Sequence, residues 1–154
     1  MSLSKTDLLR ELDQARDDLW GLLERLDVAV EIYPGWKKRE FFAHIAGWEA
    51  MVYEVFHHYL TGQPSKTYPY SDLDTANAYF VTTRQSMPLE GVKLECDINR
   101  FAIKTLLAGI SAEQFSESIQ FPWGQNTITE FIEGAIQHER DHARDILTLL
   151  DKIP

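Results

Sequence analysis

Apolar residues recur every three or four positions along most of the chain, and nowhere do they alternate for long enough to mark a β-sheet. Leu8, Leu12, Ala15, Leu19, Leu22, Leu23 and Leu26 trace one face of a helix from about Ser4 to Asp27, with Ser4 and Asp7 forming a weak capping box at its start. Pro34-Gly35 breaks the pattern. A second helix runs from about Lys37 to Leu60, and Gly62 and Pro64 are placed to end it. The stretch from Gln63 to Ser71, rich in Pro, Ser and Tyr, reads as a loop. Helical spacing returns over Asp72 to Gln85 and again over Leu89 to Gly109, either as two helices or as one kinked at Pro88. Ser111 to Asn126 reads as a loop carrying Pro122-Trp123-Gly124. Thr127-Ile128-Thr129-Glu130 is a capping box for a last helix ending near Asp151. The expected architecture is all-α: a four-helix bundle with a long or kinked middle connection.

The 154 residues contain no internal repeat and no composition shift, so residues 1–154 are expected to form a single domain. The net charge of −9 works against binding to phosphate backbones or anionic membranes, so neither nucleic acid nor membrane is an expected partner. No stretch approaches the roughly 18 apolar residues that a membrane span needs. The first residues lack the basic start and apolar run of a signal peptide. A lone cysteine, Cys96, excludes an internal disulfide, and the expected location is a reducing cytoplasm. Cys96 faces the core of its helix, which argues against a cysteine nucleophile.

Three of the five histidines fall where periodicity predicts core. At about 100° per residue, His44 shares a stripe with Phe41, Trp48, Met51, Val55 and Tyr59. His57 lies nearly opposite, and His58 at the edge. On the last helix His138 and His142 stand one turn apart on the face of Phe131, Ala135, Ile146 and Leu149, with Asp145 one turn further. A single core histidine is ordinarily hydrogen-bonded to a neighbour. Three imidazoles on two apolar faces each need a partner, and their mutual repulsion disfavours protonation. A divalent metal satisfies all three, taking one lone pair from each neutral ring. The expected ligands are therefore His44, His138 and His142.

His138-Glu139-Arg140-Asp141-His142 also matches the H-E-x-x-H pattern of zinc proteases, in which the glutamate is the general base. Only 12 residues follow His142, leaving Asp145 and Asp151 as the downstream carboxylates, and no substrate-binding sheet is expected. Glu139 turns about 100° away from His138 and reads as incidental. Glu49 likewise turns away from His44, toward solvent and a nearby lysine.

The segment Trp36-Lys-Lys-Arg-Glu-Phe-Phe-Ala-His44-Ile-Ala-Gly-Trp48-Glu49 resembles the second-helix signature of the DinB-like (YfiT-like) four-helix-bundle superfamily. Gly124 to Ile146, with its Thr-capped helix and paired His138 and His142, is similar to that family's last helix. The resemblance spans nearly the whole chain, although its specific part is three histidines in two short motifs. It implies a nickel, zinc or iron ion held by His44, His138 and His142 at the mouth of the bundle. It also implies a small-molecule substrate, a low-molecular-weight thiol as co-substrate in some members, and frequent homodimers. Lys37 stands where the family often has a Ser or Thr cap, a small change at a helix start. The ClbS/DfsB-like branch shares the bundle but typically lacks the paired histidines, and some of its members act without metal. The Asp72 to Gln85 segment, with Asp74 and Asn77, resembles that branch.

Two readings follow. One is a metal-dependent hydrolase or thiol S-transferase. The other is a metal-free bundle that binds, sequesters or hydrolyses a small molecule. Asp145 either orients a ligand imidazole, serves as a fourth ligand, or is an ordinary exposed acid. Trp48, Tyr59, Tyr79 and Phe101 either wall a pocket or pack in the core, and Asn99 either enters the cavity or satisfies a buried neighbour.

Overall fold

The computed structural model describes residues 3–153. Its helices are α1 (Lys5–Arg25), α2 (Lys38–Leu60), α3 (Leu73–Thr82), α4 (Leu89–Gly109) and α5 (Ile128–Leu150). Three of the four long ones begin at a cap. Ser4 Oγ accepts from the Asp7 amide at 3.1 Å, and Thr127 Oγ1 from the Glu130 amide at 3.1 Å. At Lys37 the missing hydroxyl is replaced by Glu40, whose Oε2 accepts the Lys37 amide at 3.0 Å. Asp72 caps α3.

In the connections the structure decides between two expected alternatives and adds one element. The α3 and α4 segments are separate helices, divided by a turn through Thr83–Pro88, rather than one kinked rod. The loop before α5 contains a short antiparallel hairpin, β1 (Ser118–Phe121) with β2 (Gly124–Thr127), pairing Ser118 with Thr127 and Phe121 with Gly124. Strands of four residues carry too little alternation to stand out, but Ile119 and Phe121 are buried and pin the hairpin to the bundle.

The core falls into two halves that fix the topology. One contains Leu8, Leu12, Val55, Phe56, Ile103, Leu107, Ile128 and Ile132; the other Leu19, Leu23, Phe41, Phe42, Val92, Cys96 and Ile146. Helix α1 passes from the first half to the second, α2 and α4 pass from the second to the first, and α5 returns. The bundle is thus up–down–down–up, with α1 packed along α5 and α2 along α4. The parallel α2–α4 pair requires a crossover from one end to the other, which explains the long middle connection.

Helix α3 lies in that crossover, packed on α2. Gly47 permits the approach: a Cβ there would collide with the side chain of Phe80. In this way α3 becomes a wall beside Trp48, whose ring meets Phe80 at 5.3 Å.

A candidate metal centre beside a cavity

The three expected ligands meet. His44 from α2 and His138 and His142 from α5 direct one ring nitrogen each to a common point, all within 4.8 Å of one another. His138 Nε2 lies 3.4 Å from His44 Nε2 and 2.8 Å from His142 Nε2. Metal–nitrogen bonds of about 2.0–2.1 Å at tetrahedral or octahedral angles place ligand nitrogens roughly 2.8–3.4 Å apart, so the two spacings from His138 suit a divalent ion. Without one, a single N–H shared between two of these nitrogens leaves the third without a partner.

Electrostatics keeps the rings in the form a metal needs. Burial, reinforced by the neighbouring imidazoles, pulls His44 down to about 3 and His142 to about 4. Burial also lowers His138. All three are therefore neutral near pH 7.

A residue outside the sequence prediction sets the tautomer of His142. Tyr33 Oη is 2.6 Å from His142 Nδ1 and donates to Asp145 Oδ2 at 2.8 Å. Since the phenol proton goes to Asp145, Tyr33 accepts from Nδ1–H of His142, which leaves the Nε2 lone pair bare. This is the carboxylate-to-histidine support common at metal sites, with a tyrosine interposed. Pro34-Gly35 makes it possible. Gly35, at φ +79°, closes the turn that returns Trp36 N–H to the Tyr33 carbonyl at 2.8 Å. Asp145 thus acts through Tyr33 rather than directly on an imidazole.

Next to the histidines opens a cavity of about 390 Å³. Its walls include Trp48, Val52, Phe56, Trp123 and Phe131, with Asn77 and Asn126 as polar points. Both asparagines are held by tryptophans: Trp48 Nε1 donates to Asn77 Oδ1 at 2.8 Å, and Trp123 Nε1 to Asn126 Oδ1 at 3.1 Å. The Asn77 NH₂ is left to donate to a ligand, whereas the Asn126 side chain also bonds the Glu130 carboxylate.

The cavity floor corrects the sequence reading of Glu49 and Glu139. Both are buried, not solvated. They meet Arg16 and Arg100 in a four-helix ionic layer that separates the two core halves. Arg16 Nη2 lies 2.8 Å from Glu49 Oε1 and 2.5 Å from Glu139 Oε1. Arg100 Nε lies 2.6 Å from Glu49 Oε1, and its Nη2 bonds Glu139 as well. The two guanidiniums hold Glu139 below the ordinary carboxylate range against the opposing effect of burial. A sequence signal existed: Arg16 follows Leu12 by four and precedes Leu19 by three, and Arg100 sits likewise between Cys96 and Ile103.

The other candidates separate cleanly. Trp48 walls the cavity, whereas Tyr59 bonds Glu117 and Phe101 points to solvent, 74% exposed. Tyr79 is also exposed, against the side of Tyr70. Asn99 donates to the Ala46 carbonyl at 3.1 Å, satisfying a buried neighbour. His57 stacks on Tyr53 and His58 reaches the Pro64 carbonyl, both away from the cluster. Cys96 is fully buried against the Phe42 carbonyl, and burial pushes its thiol up, so it stays protonated. Among the described residues no helix is long and apolar enough to cross a membrane.

Comparisons with known proteins place this architecture. A comparison with curated proteins finds no match. Among solved structures, a Streptococcus pneumoniae protein aligns at TM-score 0.81 and 14% identity, covering 100% of this chain and 94% of its own. The colibactin self-resistance protein ClbS, solved with double-stranded DNA, aligns at TM-score 0.80 and 14% identity over 98% of both chains. The mycothiol-dependent maleylpyruvate isomerase aligns at TM-score 0.74 and 15% identity, over 94% of this chain and 61% of its own. At such identities these likenesses concern the fold. The sequence itself matches the family model of the DinB superfamily over residues 11–146, from the middle of α1 to the last turns of α5. That span takes in both histidine helices and all four members of the ionic layer, and the chain belongs to the DinB superfamily.

Proposed function

We propose that this protein is a metal-dependent enzyme acting on a small molecule, with a divalent transition metal (nickel, zinc or iron) held by His44, His138 and His142. The observation that carries the reading is the convergence of three neutral imidazole nitrogens beside a cavity of about 390 Å³. A cavity of this size suits a small ligand. The net charge of −9 favours such a partner over nucleic acid.

A bound ion would supply Lewis acidity, bringing a water or a low-molecular-weight thiol into its anionic form near neutral pH. The chain supplies the rest. Tyr33 and Asp145 fix the ring of His142 and keep its Nε2 unprotonated. Trp48, Trp123 and Phe131 shed water from the substrate's apolar part, and the NH₂ of Asn77 donates to its polar atoms. Cys96 takes no part. The reaction class is hydrolysis or thiol transfer, and the supply of nucleophile decides between them.

Cobalt(II)-loaded protein mixed with small thiols distinguishes the two. A near-ultraviolet thiolate-to-cobalt band in the wild type, absent in His138→Ala, supports thiol transfer. No band with any thiol, together with ester or amide cleavage lost in the same variant, supports hydrolysis. The absence of both the band and the cleavage contradicts the enzyme reading.

A further inference from the structure

Helix α4 leaves an apolar stripe uncovered. Leu94, Ile98 and Phe101 are 58%, 57% and 74% exposed, and Thr105 continues their line. At about 100° per residue these four fall within about 60° of arc, so their side chains adjoin one another. Exposed apolar residues standing singly are ordinary, but three in one stripe mark a contact surface. Among the described residues no other helix carries three large ones on one face. The stripe is turned about 100–160° from Arg100, Ile103 and Leu107, which line the cavity, so an occupant leaves the cavity open.

The pattern along the stripe complements itself in one direction. Counted from Phe101, the bulky Leu94 lies seven residues before and the small, exposed Ala108 seven after. On one flank Ile98 stands three before and Thr105 four after; on the other, Asp97 stands four before and Lys104 three after. An antiparallel pair about a two-fold axis at Phe101 brings like flanks together. Leu94 of one protomer then faces Ala108 of its partner, Ile98 faces Thr105, and Asp97 faces Lys104, each contact occurring twice. A parallel pair instead sets Asp97 against Asp97 and Lys104 against Lys104. Lys104 holds Asp13 of its own chain at 2.7 Å, and its ammonium has donors left for Asp97. The other charges of α4 do not oppose the pairing. Glu95 is bonded to Arg84, Arg100 is buried, Lys93 comes opposite Gly109, and Glu90 reaches past the partner's helix end.

We propose that the outward face of α4 docks a second copy of this chain, antiparallel and with Phe101 at the two-fold axis. The stripe from Leu94 to Ala108 is about 21 Å long and one helix wide, below the roughly 1,200 Å² at which standard interfaces begin. Association is therefore expected in the micromolar range.

Sedimentation velocity of the full chain from about 5 to 500 µM tests this. Wild type is expected to pass from monomer to dimer across that range. Phe101→Ser, at an exposed position, stays monomeric with little change in thermal stability. Asp97→Lys and Lys104→Asp each set like charges together and weaken their own dimers about tenfold or more. Mixed with each other, these two variants form a heterodimer in which both ion pairs are restored, and it regains wild-type strength. A wild type monomeric throughout, a dimer that persists in Phe101→Ser, or a mixture no tighter than its components overturns the proposal.

Discussion

Tyr33 Oη lies 2.6 Å from Nδ1 of His142, and its own proton is directed to Asp145. A loop residue thereby decides which nitrogen of a helical histidine carries a lone pair toward His44 and His138. Tyr33→Phe removes the acceptor and leaves the ring stacked on Phe41. Metal affinity should fall about 10–100-fold with little loss of thermal stability. Competition against a chelator measures this, and an unchanged dissociation constant would show that the relay does not support the site.

The histidines make the metal-free protein acid-sensitive. His44 and His142 lie near 3 and 4 when folded but at the ordinary 6.5 when unfolded. Below 6.5 the unfolded chain binds more protons, so stability falls as the pH drops; above 6.5 these groups contribute no pH dependence. Glutamates such as Glu139 titrate from an unfolded value of 4.5, which leaves the interval between 4.5 and 6.5 to the histidines. Each adds up to about a factor of ten per pH unit to the unfolding equilibrium. Urea midpoints across that interval should decline for the wild type and decline less for His44→Leu. Parallel curves would contradict the assignment.

Breaking the ionic layer should cost far more than an exposed pair would. Arg100→Met leaves Glu49 and Glu139 sharing one guanidinium, and a loss of about 3–5 kcal/mol is expected. Adding Glu49→Gln removes the surplus charge, so the double variant should be more stable than the sum of the single effects. Denaturant unfolding of the four proteins in the cycle checks this, and simple additivity would rule out coupling.

Gly47 carries the packing of α3. Gly47→Ala places a methyl group against Phe80 and should destabilise the protein by about 1–3 kcal/mol. Because Phe80 supports Trp48, the Trp48 wall should loosen as well. Thermal unfolding and the accessibility of tryptophan to a neutral quencher report the two effects.

The long helices and the three-histidine cluster were legible because both rest on one periodicity, that of residues three and four apart. Arg16 and Arg100 lie on the apolar stripes of α1 and α4, and Glu49 and Glu139 beside the histidine faces of α2 and α5, but each taken alone looks like a solvated charge. Only the pairing of α1 with α5 and of α2 with α4 makes them neutralise one another. Tyr33 had no periodic signal, since it stands in a loop and reaches His142 through a turn set by Pro34 and Gly35. The hairpin was too short to announce itself, and Phe101 stands on the side of α4 opposite Val92, Cys96, Ile103 and Leu107 and so faces outward.

The proposal that His44, His138 and His142 hold a metal is open to direct measurement. Elemental analysis of protein purified without a histidine tag or added metal tests it most directly. About one transition-metal ion per chain is expected, lost in His44→Ala and in His138→Ala. A content well below one per chain, persisting after dialysis against zinc or nickel, would contradict it and leave the histidines as the lining of a metal-free cavity.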